Sequence, residues 1–133
     1  MASRENGVVD RATAMTWVTS YERAWRAGDR AAVERLFTPN ARYRRSPYEK
    51  PLVGWPAIKD FWRADEGETF TFAAEPVAVE GHRAVVRAVV RYGDPVRQEY
   101  TDLWLIDFAA DGRVDAFEEW AYWPGHGYTA DDD

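Results

Sequence analysis

The chain has 133 residues, 46% of them hydrophobic and 15% aromatic, which is the size of one ordinary domain with enough apolar surface to bury a core. Its net charge of −6 and isoelectric point near 5.0 argue against a nucleic-acid partner, and part of that charge sits in a terminal acidic run, Asp131, Asp132 and Asp133. No cysteine is present, which excludes disulfides, thiolate metal ligands and a catalytic thiol.

Taken in order, residues 1–9 show no apolar period and are expected to form a flexible arm, as are residues 125–133, leaving one domain over residues 10–124. There is no basic-then-apolar leader and no apolar run near the roughly 18 residues of a membrane span, so a cytoplasmic protein with no membrane partner is expected. Asp10 is a good N-cap for a first helix that runs to Ala27 and stops at Gly28. Within it Ala14, Trp17, Val18, Tyr21, Ala24 and Trp25 recur at spacings of three and four, one broad face for the core. Asp29 is expected to cap a second, shorter helix through Leu36, and Thr38-Pro39-Asn40 to break it. A short strand is expected over 41–46, then an extended loop from Pro47 to Val53. Gly54-Trp55-Pro56 opens a third helix, whose apolar edge is Ile58, Phe61 and Trp62.

Four strands follow. Residues 70–80 and 83–92 read as an antiparallel pair turning at Gly81-His82, and Gly93-Asp94-Pro95 leads into a long hairpin from Gln98 to Pro124 that turns at Asp111-Gly112. Tyr100, Asp102, Trp104, Ile106 and Phe108 share one face of its first strand, Thr101, Leu103 and Leu105 the other; both rows are largely apolar, which predicts cover on both sides. Over residues 83–92, Val86, Ala88, Val90 and Tyr92 should look inward, while Arg87 and Arg91 look outward with Val85 and Val89. Such a half-apolar outer face suits a second subunit. Helices followed by a meander of strands predict an α+β fold, with helices packed on one face of a curved, mostly antiparallel sheet.

This order resembles the nuclear transport factor 2-like superfamily, and within it the SnoaL-like branch, from about Ala14 to Trp123. The resemblance is carried by AWRAGDRAAVERLFTPNARY at residues 24–43, by Gly54-Trp55-Pro56-Ala57-Ile58, and by DFAADGRVDAFEEW in the last hairpin. It implies a cone-shaped sheet closed by three helices of the N-terminal half over a pocket, and a homodimer formed through the outer sheet face. Members of the superfamily include steroid isomerases, polyketide cyclases, dehydratases, epoxide hydrolases and noncatalytic proteins, so fold alone does not choose among them. The cyclase and epoxide hydrolase types carry an acid on the last strand, matched here by Glu119. The epoxide hydrolases pair it with an arginine and an aspartate two apart on the third strand, where this chain reads VVRAVVR, with no acid; the dehydratase histidines are not matched, since His82 and His126 fall in a turn and the C-terminal tail.

Glu119 is the leading candidate for a general acid or base, because Phe117 and Ala121 share its facing and an aromatic setting raises a carboxyl pKa. The alternative is a glutamate that pairs with Arg42, Arg44 or Arg87, and a one-residue bulge would put Glu118 in its place. Asp102 would stand beside it, either as a second carboxyl that shifts the first or as a buried acceptor for a Trp or Tyr donor. Trp17, Tyr21, Tyr43, Trp62, Tyr92, Trp104 and Phe117 are the candidate walls for a ring-containing ligand, with Tyr43 and Tyr92 as hydroxyl donors; the same residues also read as plain core. There is no P-loop, dinucleotide fingerprint, nucleophile elbow or histidine pair at metal-ligand spacing. Two functions remain: a cofactor-independent enzyme that moves a proton on a small apolar or aromatic molecule in an isomerisation, cyclisation or dehydration, and a noncatalytic ligand-binding or dimerisation module.

Overall fold

The computed structural model describes residues 8–62 and 69–125; His126 and the acidic run at 131–133 lie outside them. Helix α1 spans Arg11–Ala27, and both ends form as their residues dictate. The Asp10 carboxylate accepts the Thr13 amide, and Gly28 takes the left-handed conformation (φ 65°) while its amide reaches the Ala24 and Trp25 carbonyls. The buried side of α1 is Ala14, Trp17, Val18, Tyr21 and Ala24. Val9, placed by sequence in the flexible arm, is buried, and its amide donates to the Gly81 carbonyl at 2.8 Å.

The second helix is a 3-10 turn, Arg30–Ala32, running into a single α-turn, α2 (Val33–Leu36). Asp29 makes no capping bond there; its carboxylate instead holds Arg35 at 3.3 Å. The helix ends at Leu36, before Thr38-Pro39-Asn40, as expected, and those three residues belong to strand β1 (Phe37–Arg44), which begins immediately. Proline is tolerated because the register with the neighbouring strand shifts between Phe37 and Arg42, a bulge that needs no amide from position 39. Part of the expected loop after it forms β2, Leu52–Val53, paired antiparallel to β1. Helix α3 spans Trp55–Trp62, and Gly54 precedes it at φ 88°, accepting the Ile58 amide on its carbonyl.

Strands β3 (Phe70–Glu80), β4 (Arg83–Tyr92), β5 (Gln98–Phe108) and β6 (Val114–Tyr122) complete a curved, unclosed six-stranded sheet in the order β2-β1-β6-β5-β4-β3. All pairings are antiparallel except β1 with β6. The three helices and this sheet make the α+β cone that the element order predicts. At the Asp111-Gly112 turn the Asp111 carboxylate accepts the Arg113 amide and side chain, which holds its pKa below the usual value.

The inward rows are as the alternation predicts: Ala84, Val86, Ala88 and Val90 of β4, and Asp102, Trp104, Ile106 and Phe108 of β5, are buried. In the single chain the other row of β5, Thr101, Leu103 and Leu105, is half-buried. At the β3 edge, Arg11 and Arg26 of α1 donate to the carbonyls of Pro76 and Phe70.

The depth of the cone is packed with rings. Phe117 stacks against Tyr21 (5.6 Å, 9°) and Tyr43 (4.8 Å, 15°), Trp104 stacks on Phe72 (5.6 Å, 28°), and the hydroxyls of Tyr21 and Tyr43 meet at 2.7 Å. Because Phe117 also touches Trp17, Phe37 and Trp104, its loss would leave a void bounded by every layer of the fold. Phe117→Ala is therefore expected to cost about 3–5 kcal/mol of stability, read as a lowered urea midpoint with little change in slope.

Candidate active site

Two carboxyl groups come together at the open end of the cone, and strand register puts them there. Trp104 faces Glu119 and Asp102 faces Ala121 across the β5–β6 ladder. Positions 102 and 104 therefore share the inner face with 117, 119 and 121. The single irregularity between these strands falls between Asp107 and Phe108, before this stretch, so it does not exchange Glu118 for Glu119. Glu118 lies opposite Leu105 on the outer face, where it accepts the Trp120 indole N–H at 2.6 Å and stands 3.9 Å from Arg44. The arginine partnership considered for either glutamate thus includes Glu118 with Arg44.

Asp102 is 3% exposed, and it is the charged or polar residue in the core of the described residues. Its Oδ2 accepts the Trp104 indole N–H at 3.3 Å, while Oδ1 is buried and receives no hydrogen bond from an N–H or hydroxyl among the described residues. Burial pushes the Asp102 pKa up, and hydrogen bonds from Glu119 and from Trp104 partly offset the shift by favouring the ionised form. A hydrogen bond between two carboxyls requires a proton on one of them. Such a proton would lie between Asp102 and Glu119.

A recess of about 540 Å³ lies over this pair. Asp102, Glu119, Ala121 and Val90 form its inner part; Trp25, Phe61, Tyr92, Tyr100 and Trp123 supply ring walls; Arg45, Glu49 and Arg97 stand at the exposed mouth. A larger groove of about 730 Å³ runs outside the cone between α1 and the 30–36 segment, past Thr16, Ser20, Arg23 and Arg35, but it contains neither member of the carboxyl pair.

Of the residues singled out from sequence, Asp102, Glu119 and Tyr92 line the recess. Trp17, Tyr21, Tyr43, Trp62, Trp104 and Phe117 do not; they are buried against one another beneath it. Tyr43, kept as a hydroxyl donor, is bonded to Tyr21 in that packing. The walls that sequence reading did not name are Trp25, Phe61, Tyr100 and Trp123. Two of them were within reach of the pattern, since Tyr100 continues the Asp102 row and Trp123 continues the Glu119 row at period two. Among the described residues no three His, Cys, Asp or Glu side chains converge as a donor set for a metal ion.

A cone of this kind defines the class as nuclear transport factor 2-like. The chain belongs to the SnoaL-like domain family, whose sequence pattern it matches over residues 18–117. No curated protein matches it in sequence. Solved structures similar to it include a candidate polyketide cyclase from Sinorhizobium meliloti, 27% identical, covering 78% of this chain and 93% of that one, at a TM-score of 0.60. A steroid delta-isomerase from Pseudomonas aeruginosa is 21% identical, covering 86% of this chain and 83% of that one, at 0.63. A candidate SnoaL-like polyketide cyclase from Jannaschia is 19% identical, covering 84% and 86%, at 0.64.

The raised Asp102 pKa has a sign in stability. The unfolded carboxyl ionises first as pH rises past its ordinary 3.8, and the folded one later, so over that window the folded state binds more protons and stability falls with rising pH. Asp102→Asn removes this contribution. As pH rises past about 4 the wild type is expected to lose stability relative to Asp102→Asn, checked by urea unfolding of both proteins across a pH series.

Proposed function

We propose that this chain binds a small, ring-containing molecule in the recess and moves a proton on it without a cofactor, in an isomerisation, cyclisation or dehydration. The observation that carries the reading is the buried Asp102 carboxyl joined to Glu119 beneath aromatic walls. Two carboxyls holding one proton offer an acceptor and a donor in one place. Glu119, half-exposed, meets the ligand, takes a proton from carbon or hydroxyl, and returns it at a neighbouring atom. Asp102, deeper and held by Trp104, keeps the pair in its singly protonated state, and Tyr92 lines the same recess. The steroid isomerase and the candidate cyclases of the same fold are consistent with proton chemistry at this end of the cone, an argument by analogy.

A second reading, a noncatalytic ligand-binding module, is favoured by one observation: rings fill the cone beneath the recess, leaving the ligand a site at the rim. Exchange of the α-hydrogens of 2-tetralone with deuterated water separates the two. The enzymatic reading expects exchange above the buffer rate, reduced roughly 100-fold or more in Glu119→Gln. Binding of the ketone without faster exchange supports the second reading.

We also propose that the protein works in the cytoplasm as a homodimer formed through the convex sheet face. The half-exposed row of Val85, Val89, Leu103 and Leu105 supports the pairing; among the described residues no helix is long and apolar enough to cross a membrane. Sedimentation velocity is expected to give a dimer for the wild type and a monomer for Leu103→Lys, because a second cation opposite Arg87 would be buried in that row without compensation.

A further inference from the structure

The groove of about 730 Å³ outside the cone, between α1 and the 30–36 segment, shares no lining residue with the recess over Asp102 and Glu119. We infer that this groove is a second binding site, and that it takes a phosphate monoester with a hydroxylated body, the phosphate held by Arg23 and Ser20. The inference does not depend on what the carboxyl pair does.

One stripe of α1 makes the polar wall. Thr13, Thr16, Ser20, Arg23 and Ala27 recur at spacings of three and four, so they stand in line along the helix over about 21 Å. The floor beside them is apolar. Trp17, Ala24, Ala32 and Leu36 are all buried there, and the Trp17 indole N–H is already given to the Leu36 carbonyl at 3.0 Å. Short side chains at Ala24, Ala27 and Ala32 leave the space above that floor open.

The charge of the groove rests on one side chain. Arg35 and Asp29, both lining residues, hold each other at 3.3 Å and cancel. Arg26, on the same helix, holds Glu22 at 2.8 Å. Arg23 makes no hydrogen bond or ion pair among the described residues, so on a chain with net charge −6 its guanidinium is a local reversal of sign. Ser20 stands one turn before it on the same stripe, and its hydroxyl likewise has no partner among the described residues. A guanidinium and a hydroxyl one turn apart suit an oxyanion with several acceptor oxygens, which a phosphate supplies.

The rest of the stripe selects the body of the ligand. Thr16 gives its hydroxyl hydrogen to the Ala12 carbonyl at 2.9 Å and keeps lone pairs that accept; the Thr13 hydroxyl makes no bond among the described residues. Ligand hydroxyls match these two, while carbon-bound hydrogens of the same body lie on the apolar floor. A wholly apolar body would cover the threonine hydroxyls without bonding them, and a bare anion would leave that half of the groove unused.

The test is calorimetric titration of the whole chain with glucose 6-phosphate, glucose and inorganic phosphate. The wild type is expected to bind the ester roughly tenfold or more tightly than either of the other two. Arg23→Gln is expected to remove the advantage of the ester over glucose, and Thr16→Val to reduce its advantage over inorganic phosphate. Arg42 serves as the control, since it too makes no bond among the described residues but lies on β1, outside the groove; Arg42→Gln is expected to leave the ester affinity unchanged. All three substitutions fall at exposed positions, and an unchanged urea midpoint verifies that the fold is kept. An ester bound no more tightly than glucose or inorganic phosphate, an affinity that survives Arg23→Gln, or an equal loss in Arg42→Gln overturns the inference.

Discussion

The interior of the cone is filled by its own rings, and the position of the buried carboxyl Asp102 follows from that. Phe117, with Tyr21 and Tyr43 stacked against it, takes the place where a deep cavity would lie. The hydroxyls of the two tyrosines hydrogen-bond to each other within that packing. Polar chemistry is thereby displaced to the end of the cone, where β5 and β6 run past the last layer of rings.

At that end the two acids differ in a way that suits them to different work. Asp102 is held on one oxygen by an indole that is itself packed between Tyr21, Phe72 and Phe117, so its carboxyl cannot turn away. Glu119 lies farther out on the longer side chain, within reach of whatever enters. The raised pKa of Asp102 comes from burial first, and burial is a property of the whole ring packing rather than of any one neighbour. The site and the core are therefore one construction.

The period-two rows were legible in the sequence because arginines mark the outer row of β4, Tyr100 to Phe108 make one continuous row on β5, and Phe117 and Ala121 share the facing of Glu119 on β6, and this is why the inward facing of Asp102 and Glu119 could be read. Depth was not legible. Trp104 and Tyr100 occupy the same row, yet one is sealed in the core and the other lines the recess, a difference set by how far the helices reach over the sheet. The same limit explains the misplaced walls: Tyr21 and Trp25 are one helical turn apart, and only three-dimensional packing separates core from rim. At Thr38-Pro39-Asn40 the residue types signal the end of a helix but not the strand that takes its place, in which a bulge beside the parallel neighbour β6 absorbs the proline.

The two free borders of the sheet carry a consequence of their own. An open sheet offers unpaired backbone to any extended chain that meets it, the usual route to edge-to-edge aggregation. Here β2 is two residues long, too short to template an added strand. The other border, β3, contains Pro76 and a register shift beside it, and the arginines that α1 sends to the Pro76 and Phe70 carbonyls lie along the same strand. Those two side chains, which play no part in the recess, act as guards against self-templating, letting the cone stay open at its mouth without becoming adhesive along its sides.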